Sequence, residues 1–131
     1  MRITVDTNVL VRLAVEDDPG QTSVAREQFQ RAELVAVPLP VLCEFAWVTT
    51  RVYRRPSDAV GEAIRRLIAI PKVSVDRPAV EAGLAILDAG GDFADGVIAF
   101  AGRQMGGSVF ASFDRQAIDL IAAAGGETRL L

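Results

Sequence analysis

The 131-residue sequence has no histidine, one cysteine and one lysine. Without histidine, Ser-His-Asp and Cys-His catalysis are excluded. With only Cys43 beside it, so is every ordinary zinc site. Any metal must be held through oxygen, which points to Mg²⁺ or Mn²⁺. A single cysteine cannot form an intramolecular disulfide, so a reducing, cytoplasmic compartment is expected. Cys43 lies among Val41, Leu42 and Phe45 and reads as a buried structural thiol with no base to activate it. Long apolar runs are lacking as well. The longest stretches free of charge, 34–43 and 104–113, are ten residues each, too short to span a bilayer. The N-terminus lacks a basic-then-apolar signal pattern, and no membrane contact is expected.

Half of the residues are hydrophobic, which excludes disorder, and the length suits one domain over residues 1–131. Strand and helix patterns alternate throughout. Strands are predicted at 2–5, 34–37, 73–75, 109–113 and 128–131. Helices are predicted from Val9 to Ala14, Thr22 to Ala32, Pro40 to Arg55, Ala59 to Ile70, Arg77 to Leu87, after Asp92 through Ala101, and Arg115 to Ala124. This alternation predicts an α/β fold, a three-layer α/β/α sandwich around a central parallel sheet of about five strands.

Four acids fall on one rim of such a sheet. Asp6, in Val5-Asp6-Thr7-Asn8, ends the first strand, and Asp114, in Ser112-Phe113-Asp114, ends a late one. In open α/β sheets, ligands bind at these carboxyl ends. Glu44 shares a helix face with Val41, Val48 and Arg51, an apolar setting in which a carboxylate needs a partner, either an arginine or a metal. Asp92-Phe93-Ala94-Asp95 opens a helix that is apolar nearly all round and therefore expected to be buried. Asp92 suits the N-cap, which engages its side chain with a backbone N–H. Asp95, one turn in, is left free to face the strand rim. If the first and fourth strands are neighbours, all four acids converge. Converging carboxylates repel unless a cation neutralises them, and a hard divalent ion also activates water. The chemistry indicated is metal-assisted hydrolysis of a phosphodiester.

Other α/β readings fit less well. A receiver domain wants a second acid beside Asp6 and a lysine at the end of a late strand, whereas the lone lysine is Lys72. A haloacid-dehalogenase-type phosphatase wants D-x-D, but position 8 is Asn. A dinucleotide-binding domain wants glycines after the first strand, and there are none. A non-catalytic domain that only binds a partner is the remaining alternative.

The ordered set Val5-Asp6-Thr7-Asn8, Glu44, Asp92-Phe93-Ala94-Asp95 and Ser112-Phe113-Asp114 resembles the PIN domain, and more closely the VapC-type ribonuclease toxins of bacterial toxin–antitoxin pairs. The resemblance runs through the whole chain in length, element order and acid spacing. It implies an Mg²⁺- or Mn²⁺-dependent endoribonuclease that acts on RNA, forms homodimers and is inhibited by a cognate antitoxin. By the same resemblance Asp6, Glu44, Asp95 and Asp114 are the catalytic metal ligands. Asn8 and Ser112 become polar groups at or just behind the metal, with Asp92 supporting them. Ser112 departs slightly from the pattern, since that position is often Thr, which shares the hydroxyl.

Net charge is −3, unusual for a nucleic-acid enzyme, but setting aside four metal-neutralised acids leaves +1. Residues 51–72 carry six basic side chains against Asp58 and Glu62, a net +4. Arg51, Arg54 and Arg55 within it are predicted to contact substrate phosphates, for which arginine is suited.

Overall fold

A computed structural model describes residues 1–131. Five strands alternate with seven helices in the order β1 (Arg2–Thr4), α1 (Thr7–Ala14), α2 (Pro19–Arg31), β2 (Leu34–Ala36), α3 (Leu39–Arg51), α4 (Ser57–Ile68), β3 (Val73–Ser74), α5 (Arg77–Asp88), α6 (Phe93–Gln104), β4 (Val109–Ser112), α7 (Arg115–Ala123) and β5 (Glu127–Leu130). Every strand pair is parallel, so the α/β expectation holds. The chain forms two compact units, Met1–Asp76 and Arg77–Leu131. The first holds a three-stranded sheet in the order β1-β2-β3 and the second a two-stranded sheet, β4-β5. The five strands are thus divided three and two, rather than gathered in one five-stranded ladder.

In the first unit, Val35 on β2 is fully buried between its neighbours, with Ile3 opposite on β1 and Val73 on β3. A central parallel strand covered on both faces needs such apolar residues. The β1–β2 pairing continues to Val5, whose N–H donates to the carbonyl of Ala36 at 3.2 Å, so Asp6 stands where the ladder stops. Helix α1 packs on α2 and α3. The buried side chain of Thr22 helps, donating its hydroxyl to the carbonyl of Arg12 at 2.9 Å. Lys72 reaches across 40 or more residues and donates to the carbonyls of Phe29 (2.5 Å), Gln30 (3.3 Å) and Ala32 (3.2 Å), with its ammonium over the Phe29 ring. It closes the carboxyl end of α2, where cations are favoured.

Helix α2 starts three residues earlier than its apolar pattern implied, because Asp18 caps it, accepting the N–H of Gln21 at 3.1 Å, and Pro19 fits the first turn. Helix α3 stops at Arg51 rather than Arg55. The turn beyond it places Arg54 at φ +54°, a left-handed conformation that glycine usually fills.

In the second unit, α5 and α6 form an intimate helical pair. A Cβ on Gly96 would lie 2.3 Å from the carbonyl oxygen of Ala82, and one on Gly83 would lie 2.7 Å from the Phe93 ring. Only glycines permit this approach. The hairpin between the helices is sharp, with Gly90 at φ +95° and Gly91 donating to the carbonyl of Ile86 at 2.9 Å. Helix α7 then packs on β4 and β5. Contrary to the all-round apolar pattern, α6 buries one face, through Phe93, Gly96 and Val97, and leaves Ile98 56% exposed.

Candidate active site

The two strand-end aspartates are built alike. Asp6 is the N-cap of α1, its Oδ1 accepting the N–H of Val9 at 3.1 Å. Asp114 is the N-cap of α7, its Oδ1 accepting the N–H of Ala117 at 3.2 Å. Each bond satisfies a backbone donor that a helix start leaves orphaned. Each carboxylate is exposed, with Oδ2 outside the capping bond. Ser112 has a definite task, its Oγ accepting the N–H of Asp114 at 3.0 Å. This local turn sets the backbone of Asp114 before the helix begins. Asn8 is exposed in the first turn of α1. Together with Asp6, Arg12 and Phe29 it borders a cleft of about 600 Å³ formed by β1, α1 and α2.

The start of α6 holds both remaining aspartates. Asp92 is the N-cap, accepting the N–H of Ala94 at 2.9 Å. Asp95 falls in the first turn, as its sequence position predicted, and is partly buried. Its carboxyl is raised above the ordinary aspartate range, first by burial and then by the charges of Asp92 and Asp114. Asp92 and Asp114 thus stand near enough to Asp95 to disfavour its charged form. No three acids are gathered into a ready-made ion site. Gly96, next after Asp95, is the residue pressed onto the α5 backbone, so the turn carrying Asp95 is fixed by a helix crossing. Gln116 adds a tie, donating its Nε2 to the carbonyl of Gly90 at 3.3 Å. Neither positioning group was found from sequence. The readable signal was a glycine directly after a first-turn acid, a poor helix former whose presence needs a packing reason.

The apolar setting expected for Glu44 requires correction. It lies on α3, but the buried stripe of that helix is Leu42, Phe45, Ala46 and Thr49. Glu44 faces outward and is exposed. Both stripes keep helical spacing, and Thr49 joins the buried one because its hydroxyl donates to the carbonyl of Phe45 at 2.7 Å. The burial that would have forced a partner on Glu44 is absent. Arg51 ends α3 on the same side as Glu44, whereas Arg54 and Arg55 belong to the following turn; all three are exposed. Elsewhere in the basic segment Arg66 pairs with Glu62 at 2.7 Å, and Lys72 closes α2.

The donors offered are carboxylate, amide and hydroxyl oxygens, a set that fits a hard divalent cation. The repulsion at Asp95 is what such a cation would relieve. Parallel strands with aspartates at strand ends and in a helix's first turn form a layout that several metal-dependent α/β classes share. The PIN domain family model matches residues 3–123, and the chain belongs to that family. PIN domains are generally nucleases, a hydrolase chemistry, and typically use divalent metals. No curated protein sequence matches the chain. No helix is long and apolar enough to cross a membrane.

Proposed function

We propose that residues 1–131 act as one PIN domain, an Mg²⁺- or Mn²⁺-dependent endoribonuclease that hydrolyses RNA phosphodiester bonds. The observation that carries this reading is Asp95, a partly buried carboxylate held beside Asp92 and Asp114. Of those three acids it is the one whose side chain makes no capping bond. Carboxyls raised by burial and like charges cluster at functional sites. On the family resemblance we assign Asp6, Glu44, Asp95 and Asp114 as the metal ligands, with Asn8, Ser112 and Asp92 as their supporting residues. When bound, the cation supplies an activated water and neutralises charge developing on the phosphate. The chain's own contribution is to fix the carboxylates, through the α5–α6 crossing and the Ser112 turn. Arg51, Arg54 and Arg55 take substrate phosphates, since guanidinium groups match them in a two-point contact. The biological setting that goes with this reading is a cytoplasmic homodimer acting as the toxin of a toxin–antitoxin pair, inhibited by its cognate antitoxin protein.

The test is RNA cleavage with and without metal. Cleavage should require Mg²⁺ or Mn²⁺ and stop in EDTA. Asp95→Asn should lower it by about 10²-fold or more, the scale lost when an electrostatic group at a reacting centre is removed, with the fold retained by circular dichroism. Cleavage that persists in excess EDTA, or an Asp95→Asn protein of full activity, would refute the proposal.

A further inference from the structure

The phenylalanines are placed very unequally. Phe45 and Phe93 are 4% and 1% exposed, and Phe29, Phe100 and Phe110 are half-buried. Phe113 is 82% exposed. A single exposed apolar residue is ordinary in itself. What distinguishes Phe113 is its place, inside the turn from β4 to α7, between Ser112 and Asp114. The Ser112 hydroxyl spans Phe113 to accept the N–H of Asp114 at 3.0 Å, and the Asp114 carboxylate locks the next turn through Ala117. Gln116 fastens the start of α7 to Gly90, two residues before Asp92. The backbone beneath the ring is therefore held at three points, while the ring itself stands in water. On its far side from Ser112 follow Asp114 and the exposed Arg115. An aromatic face, an acid and a guanidinium thus stand consecutively on one fixed turn.

We propose that Phe113 is a stacking platform for an unpaired nucleobase, beside the phosphodiester on which the carboxylates act. This rests on the ribonuclease reading and deepens it by naming the side chain that would receive a base of the RNA. A base inside a duplex is already stacked and paired, whereas an unpaired base is free to lie on a protein ring. Every base has a π-face, so such a platform selects for strandedness and tolerates sequence. Because the turn is fixed beforehand, little freedom is lost on binding. Arg115 supplies a cation for a phosphate of the stacked strand. The rival occupant of this ring is a second copy of the chain, and the experiment separates the two.

Cleavage kinetics are measured on one RNA sequence presented as a single strand and as a duplex, with sedimentation for oligomeric state. Phe113→Ala should raise KM for the single strand about 5- to 150-fold, the range that base–aromatic stacking spans, with kcat changed less than about threefold. The preference for single strand over duplex should shrink in the same variant. Phe113→Trp should restore KM, whereas Phe113→Leu, apolar but without a ring, should not. Unchanged KM in Phe113→Ala, or full rescue by leucine, overturns the stacking role. A change of oligomeric state in Phe113→Ala also overturns it and assigns the ring to contact between copies. If the wild-type protein cleaves no RNA, fluorescence anisotropy with a labelled single strand gives the readout. Wild-type binding that Phe113→Ala weakens then upholds the platform while the nuclease reading falls, and equal binding by both proteins overturns the platform as well.

Discussion

The chain positions its acids in two different ways, and the difference separates folding from function. At the starts of α1 and α7, Asp6 and Asp114 are caps held by single bonds to backbone donors. Either residue would be accounted for by helix formation alone. At the start of α6, Asp92 does the capping and a second acid shares the turn. Asp95 caps nothing and bears the repulsion of two neighbours. Its turn is held by Gly96 against the α5 backbone. An acid that folding does not require, on a segment fixed by close packing, is the sharper indicator of chemistry.

The largest effect should come from breaking that packing. Gly96→Ala places a methyl group 2.3 Å from a backbone oxygen that cannot swing away. It should cost about 3 kcal/mol or more, the scale of overpacking without relief, measurable by urea denaturation. A Gly96→Ala protein of wild-type stability would show that the crossing is loose. A smaller effect tests the caps. Asp6→Ala should cost about 1 kcal/mol, and Asp6→Asn, which can still cap, only a few tenths. Equal losses in both would mean that the Asp6 carboxylate does more for stability than cap α1.

The smallest effect depends on pH. Burial and two like charges make folded Asp95 hold its proton to a higher pH than the unfolded chain does. Stability from this group is fully present below the ordinary aspartate value of about 3.9. It is lost as pH rises through the raised folded value. In metal-free buffer, Asp95→Asn should therefore melt at or above the wild-type temperature at pH 7, and the difference should close below about pH 4. A variant that melts lower at pH 7 would show that Asp95 is a stabilising group and would remove the contrast with the caps.

Much of this arrangement was legible in the sequence. Alternating strand and helix patterns gave the parallel α/β architecture, and turn chemistry placed Asp92 at the cap and Asp95 in the first turn. The inference that a capping aspartate is thereby excluded as a ligand does not generalise, since Asp6 and Asp114 cap as well. The setting of Glu44 was misjudged because α3 offers two stripes of equal spacing, and periodicity does not say which one meets the core. The role of Lys72 was hidden for a different reason. Its partners lie 40 or more residues away, and a count of basic residues cannot distinguish an ammonium that closes a helix from one awaiting phosphate. The division of strands into three and two is likewise tertiary, since each strand reads the same whichever neighbour it takes.

That engagement of Lys72 has a practical consequence for labelling. Lys72 carries the only side-chain amine in the sequence. It donates to three carbonyls at the end of α2. An amine-directed reagent will therefore acylate Lys72 fastest when that helix end opens. The rate of that acylation is a built-in clock for local unfolding in the first unit, readable by mass spectrometry without any mutation.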